Sequence, residues 1–422
     1  MGIFMPFRAT HDASSRFTQE IKSDVFAQPE ESDVLGVYGS FDALPVTYRD
    51  LFSAAGERSF FYSRAWFENL ARTTLEPHAQ IRIFGLETAG ENATALACLV
   101  MRSPAGQKGS IFAGRRFDAH SLAGLTTHPT TTFSPLVSAL APDATAVLSH
   151  LINGMASQKP SCPIFDFNRM DPQSPLFSAL VQALRNQGYC VRPYKYCDSP
   201  YEPVAGISFG QYLKDRPRDV RVEPGRRLRK LEKSHNVSFG IITGPEGIDQ
   251  AIETFERVNA ASWRKPEPFP DFDAGLLRAA ATDGVLHFGT FDIDGETVAV
   301  QIWLVSGGSA TMFKIAFDER FKKHHVGTLL MSHMIAHMID EEHVEEIDFG
   351  LYANDYKLRW LSQLREIWGI VAFNPRSASG LIALLRYDAE QAFALLKKVC
   401  KKYSSVAKTG LAKLPRYYPG RR

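Results

Sequence analysis

The chain has 422 residues, 45% of them hydrophobic and 22% charged, a balance that excludes wholesale disorder and allows two domains of ordinary size. Its five cysteines, Cys98, Cys162, Cys190, Cys197 and Cys400, form no CxxC pair, which argues against a zinc site or disulfide frame built on them. The formal net charge is +2, but residues 380–422 carry ten Lys/Arg against Asp388 and Glu390, so this tail is +8 and the rest of the chain −6.

Residues 1–32 are polar and rich in Ser, Asp and Glu, the composition of a loose N-terminal arm. Residues 1–10 are too short and too broken by Pro6 and Arg8 for a signal peptide, and no apolar run is long enough to span a membrane. The expected location is therefore the cytoplasm. A strand is predicted over 33–38, then short helices over 43–55 and 63–71, the second with Trp66, Phe67 and Leu70 on one face. Residues 81–87 and 94–101 read as a hairpin about Gly90-Glu91-Asn92. Residues 103–132, rich in Gly, Ser, Thr and His, read as irregular. A helix over 145–156, a strand over 163–167, a helix over 174–187 ended by Gly188 and a strand over 189–194 complete the first half. Asp198-Ser199-Pro200, Pro203 and Gly206 punctuate the chain and mark a boundary.

The second half starts at 209–214 and continues into a basic stretch over 216–233, interrupted by Pro224-Gly225. Residues 248–263 form an amphipathic helix. Strands follow over 285–291 and 298–305, joined by an Asp294-Gly295 turn, with Val298, Val300, Ile302 and Leu304 on one face. A third strand covers 311–317 and runs through Lys322, Lys323 and Gly327 into a helix bearing Leu330, Met334 and Met338. Such a helix start has unpaired backbone N–H groups, which suit a phosphate, and Lys322 and Lys323 add positive charge. A strand over 346–350 and a closing segment, Tyr356-Lys357-Leu358-Arg359-Trp360, end the unit. Both halves contain helices, a hairpin, an amphipathic helix and a strand ending in Asp-Phe, with Asp166-Phe167 matching Asp348-Phe349. This pattern reads as a diverged duplication, and only the second copy has a Lys-Lys…Gly-Thr loop to bind cofactor.

Val326-Gly327-Thr328-Leu329-Leu330, Asp348-Phe349-Gly350 and Tyr356-Lys357-Leu358-Arg359-Trp360 together resemble the CelD-like, or cellulose-biosynthesis-type, branch of GNAT acetyltransferases, relatives of the Fem-type transferases and bacterial ceramide synthases. Two departures stand out. Val326 replaces the family's proline before the glycine, and Leu351-Tyr352-Ala353-Asn354-Asp355 replaces a polar Gly-Asp-Glu. The resemblance implies a mixed α/β (α+β) fold of tandem GNAT-like domains, each a mixed central sheet flanked by helices. The expected divisions are an arm (1–32), a diverged GNAT-like domain (33–204), a GNAT domain with the acyl-thioester site (205–376) and a basic amphipathic tail (377–422).

The resemblance also implies N-acyl transfer from acyl-CoA, or from an acyl carrier protein, to a primary amine, with no permanently bound cofactor. Lys322, Lys323, Val326, Gly327 and Thr328 are the expected thioester-binding residues. Asp348, Tyr356, Lys357 and His287 are the candidates for proton transfer or substrate orientation, and a strand amide near 301–305 is the candidate donor to the thioester carbonyl. His324-His325 and the His333/His337 pair bring no third ligand in sequence, so no metal is expected. The apolar Leu351-Tyr352 and the basic tail favour a lipid amine, such as a sphingoid base, over an envelope sugar, and allow peripheral contact with a membrane. The other readings are a non-catalytic accessory protein of an envelope synthase and a Fem-type aminoacyl transferase, the latter lacking its coiled-coil insertion here. Nucleic acid is not an expected partner.

Overall fold

In a computed structural model the described residues are 33–76, 79–88, 92–103, 119–126, 130–266 and 268–411, and from Asp33 on they form one compact unit. The predicted arm, the hairpin tip at 89–91, most of 103–132 and the end of the tail lie outside the described residues.

The first half runs β1 (Asp33–Tyr38), α1 (Arg49–Arg58), α2 (Arg64–Thr73), β2 (Ala79–Thr88), β3 (Asn92–Arg102), β4 (Ser121–Gly124), β5 (Leu136–Val137), α3 (Ala144–Ala156), β6 (Ile164–Met170), α4 (Pro175–Asn186) and β7 (Cys190–Pro203). The second runs α5 (Phe209–Lys214), α6 (Arg218–Arg221), α7 (Glu223–Leu231), β8 (Val237–Ile242), α8 (Ile248–Ala260), α9 (Pro270–Thr282), β9 (Leu286–Ile293), β10 (Glu296–Ser306), β11 (Ser309–Phe317), α10 (Val326–Asp340), β12 (Glu346–Asp348), α11 (Asp355–Trp360), β13 (Gln363–Phe373) and α12 (Ala378–Leu411).

The thirteen strands of the described residues join one mixed sheet flanked by helices, in the order β1-β2-β3-β4-β6-β13-β7-β12-β11-β10-β9-β8, with β5 added beside β3. The order is a palindrome of two repeats. Each repeat has antiparallel strands leading to one parallel pair, β4/β6 in the first and β11/β12 in the second. The last strand of each repeat crosses into the other. β13 pairs with β6, β7 pairs with β12, and β7 and β13 pair with each other from Gln363↔Tyr201 to Phe373↔Cys190. The sequence division at 204/205 thus falls at the end of an exchanged strand. Asp198-Ser199-Pro200 lie inside β7, and proline is tolerated there because not every ladder position needs an N–H.

Local rules account for much of this. Asp294 (φ 52°) and Gly295 (φ 82°) make the tight β9–β10 turn, a left-handed conformation that glycine and aspartate accept readily. Ser63 caps α2, accepting the Trp66 N–H. Pro224 sits in the first turn of α7, where its missing N–H goes unneeded, so Pro224-Gly225 begin that helix rather than interrupting the basic stretch. On β10, Val300, Ile302 and Leu304 face a core cluster that includes α1, α2, α8 and α9. Ala299 and Trp303 face the second cluster, around α5 and α10. Val298 joins that second cluster rather than the face shared by Val300, because the β9–β10 register shifts between Thr297 and Ala299.

Beside the exchanged strands lies a buried polar knot. Arg216 Nη2 is 2.5 Å from Glu202 Oε1 on β7, and its Nη1 donates to the Trp360 carbonyl at 2.9 Å. Tyr212 donates to the same carbonyl at 2.6 Å, and Glu202 Oε2 accepts the Ser362 N–H at 2.6 Å. The knot fixes the turn from α11 into β13. Removing one partner of a buried ion pair costs about 3–5 kcal/mol, because the other charge stays buried without it. Glu202→Ala should therefore lower unfolding stability by an amount in that range, measured by urea denaturation, and an unchanged midpoint would show that the knot is not a fastening.

Candidate active site

The β11/β12 pairing lasts only three registers, Ser309↔Glu346, Ala310↔Ile347 and Thr311↔Asp348. Beyond them β12 ends, while β11 continues to Phe317. The opening is a cleft of about 940 Å3. One wall is β11 from Met312 to Lys314, Ile315 and Phe317, with the start of α10 at its end. The opposite wall is the segment Phe349 to Lys357, with Thr131 of the first repeat beside it. Trp263, Phe269 and Phe272, between α8 and the start of α9, close the cleft with aromatic surface.

Several features make this space chemically usable. The β10–β11 register shifts at Ile302/Trp303, pairing Trp303 with Met312 and Ile302 with Lys314, so Phe313 is left without a partner on β10 just where β12 has gone. α10 begins with His325 in the left-handed conformation (φ 55°) and no side-chain cap. Its first amides are therefore not covered by a side chain. Gly327 packs closely: a Cβ there would stand 3.0 Å from the Phe317 ring. Arg264 Nε donates to the Ile315 carbonyl at 3.0 Å, and Lys314 forms a buried ion pair with Asp273 at 2.7 Å on the cleft wall.

The expected site residues divide clearly. Lys322, Gly327, Thr328, Tyr356 and Lys357 line the cleft together. Lys323 is exposed on the same 3-10 turn, outside the lining, and Val326 is fully buried in the second core cluster. Asp348 stands behind the wall, accepting the Gly350 N–H and lying 3.5 Å from Arg365 Nη2. His287 is a correction. It lies on β9 beside Glu342, beyond the far end of α10, and is not brought to the cleft. His337, its neighbour on α10, is ten residues past Gly327, about 15 Å along the axis at the helical rise. Residues 301–305 are likewise corrected. β10 lies between β9 and β11, and its amides serve those ladders.

Burial sets the acid–base character of the wall. Tyr356 is 39% exposed yet lies among the lining side chains, and desolvation pushes its phenol up, so it is protonated near neutrality. Desolvation lowers Lys357, whose Nζ donates to the Leu351 carbonyl at 2.6 Å, and so favours its neutral form. Desolvation lowers His325 as well, with nearby Arg227 acting in the same direction.

Residues 218–358, from α6 into α11, match the family model described as an acetyltransferase (GNAT) domain. This match covers the strands and helix that open the cleft. No curated protein matches the chain significantly. Among solved structures, FemX shares 10% identity over 79% of this chain and 98% of its own, with a TM-score of 0.52, a likeness of fold. L-PGS from Bacillus licheniformis shares 11% identity over 82% of this chain and 96% of its own, TM-score 0.49. A tandem GNAT protein from the clavulanic acid biosynthesis pathway shares 11% over 80% and 98%, TM-score 0.41.

Burial raises the Asp348 carboxyl above its ordinary range, while Arg365, the Gly350 N–H and Lys357 pull the other way. A carboxyl raised by folding contributes stability below its unfolded pKa, about 3.9, and loses it as pH rises through the folded value. Asp348→Asn has no such loss. Its urea midpoint relative to the natural protein should therefore rise between about pH 4 and pH 7, and a relative midpoint that is flat or falling would contradict the assigned burial.

Proposed function

We propose that the protein is an N-acyltransferase that moves an acyl group from acyl-CoA or an acyl carrier protein to a primary amine. The observation that carries this reading is the cleft where β11 and β12 part, at the uncapped start of α10. This open helix start suits a thioester donor's phosphate, with Lys322 supplying charge. The unpaired backbone around Phe313 is the candidate donor to the thioester carbonyl. The amine nitrogen attacks that carbon, the C–S bond breaks with its electron pair going to sulfur, Tyr356 protonates the departing thiolate, and the proton released by the amine restores the Tyr356 hydroxyl.

A comparison of the repeats supports restricting the reaction to the second. α3, in the place corresponding to α10, has Asp143 accepting the Thr145 and Ala146 N–H groups, so its start already holds a carboxylate. Beyond β4, Thr126, Asn168 and Arg169 hydrogen-bond to one another.

For the acceptor we infer a lipid amine, of which a sphingoid base is one form, ahead of an envelope sugar. The aromatic wall of the cleft suits a long acyl chain. α12 packs on the sheet through Ala383, Leu384 and Tyr387 and then exposes Leu385, Phe393, Leu395 and Leu396 ahead of the lysine-rich stretch that starts at Lys397. Apolar and basic residues together suit the surface of an anionic bilayer. No helix among the described residues is long and apolar enough to cross a membrane.

Two measurements test this reading. In Gly327→Asp the carboxylate meets the free amides and repels phosphate, while an acid in the first helical turn favours the helix itself. Calorimetry should show CoA and acyl-CoA binding lost in a folded variant; retained affinity would remove the thioester site. With anionic vesicles, sedimentation of the full chain should fall at high salt and on deletion of residues 397–422. Equal recovery in the supernatant with neutral and anionic vesicles would move sugars and peptides ahead of lipids.

A further inference from the structure

At the far end of α10 from the cleft, three side chains remote in sequence converge. His287 projects from β9, His337 from the last turns of α10, and Glu342 from the loop just beyond the helix. His287 Nε2 lies 2.9 Å from Glu342 Oε1, and His337 Nε2 lies 3.2 Å from the same oxygen. One potential ligand atom from each residue falls within 4.8 Å of the other two. His287 is buried, at 6% exposure, whereas the Glu342 side chain is 33% exposed, so the cluster has a closed side and a side open to solvent. Two buried ring nitrogens, Nδ1 of His287 and Nε2 of His337, have no hydrogen-bond partner. His337 Nε2 is thus close to the carboxylate without forming a directed bond to it.

We propose that His287, His337 and Glu342 form a zinc site. Two imidazoles and one carboxylate are borderline-to-hard N and O donors of the kind Zn2+ accepts, and the exposed side leaves a fourth position for water. Ligands bound at about 2.0–2.2 Å in a tetrahedron stand about 3.3 Å apart. Two of the three separations are already near that value, and the two imidazoles, within 4.8 Å of each other, would close together on the ion. The neighbouring acids favour a cation: Asp340 and Glu341 precede Glu342 directly, and Glu345 follows.

The site would act through structure, not through the acyl-transfer chemistry. It joins the edge-side strand β9 to the loop that leaves α10 and enters β12, and β12 is the short strand whose end opens the cleft. His337 receives the Glu342 N–H, and Gly308 receives the Glu345 N–H, so the loop already grips the body at Glu342 and just past it. Zinc would add a further fastening through the Glu342 side chain.

The test uses the full chain, tag-free and freed of metal with a chelator. Zn2+ added in a calorimeter should bind stoichiometrically and raise the melting temperature. Co2+ should give the visible absorption of a tetrahedral site with nitrogen and oxygen ligands. Glu342→Gln, at an exposed position that folding tolerates, and His337→Gln should each abolish both responses. His333→Gln, on the same helix but stacked on Phe239 outside the cluster, should leave them intact. Absence of stoichiometric binding by the natural chain, or binding undiminished in Glu342→Gln and His337→Gln, would overturn the site and leave a carboxylate shared by two histidines.

Discussion

The shortness of one parallel strand pairing governs the rest of the molecule. β12 contributes three residues and then turns away at Gly350, whose φ of 67° suits a residue without a side chain. β11 runs on for six residues with a ladder on one side only. An unpaired strand edge inside a protein is costly unless something meets its polar groups. Here Arg264 meets one carbonyl, and the rest of the edge opens on the cleft. The same divergence leaves the start of α10 uncovered and brings Tyr356 and Lys357 across from it. A β12 longer by one turn of pairing would fill the cleft with backbone.

The two repeats show how a single architecture can be open in one copy and filled in the other. The decisive differences are small. An aspartate caps α3, while a left-handed histidine begins α10. Arg169, near the end of β6, is left-handed at φ 61° and fully buried over the Tyr196 ring. Desolvation lowers its pKa, and it donates to the Thr126 hydroxyl and the Asn168 side-chain oxygen. It holds a bulky side chain where the second repeat has a cavity.

Much of this was legible in the sequence because it was local. β9, β10, β11 and α10 carry clear periods of two and of three to four residues, and Asp294-Gly295 announces its turn. Of the cleft residues, Lys322, Gly327 and Thr328 are legible as a basic, Gly-led helix start, and Tyr356 and Lys357 through the family resemblance. What was missed depended on distant partners. β13 opens with Gln363, Leu364, Arg365 and Glu366, a polar stretch that reads as loop until β7 lies beside it. α9 begins at Pro270 and carries its ion-pairing Asp273 41 residues from Lys314. β4 is only four residues long, within a stretch whose composition signals irregular chain. His287 reads from the sequence as a candidate base, but no periodicity says that Glu342, and not the thioester cleft, stands next to it.

The exchange of β7 and β13 also orders events during synthesis. Lys195 and its partner Glu366 are 171 residues apart, so the first repeat leaves the ribosome with one edge of its sheet exposed and β7 waiting. Contacts of such separation are slow to form, and an unpaired strand invites association with another chain. The nascent first repeat would thus need protection until the second is nearly complete. A truncated product ending before β13 would present β6 and β7 as bare edges, the state in which two such fragments could supply each other's missing strand.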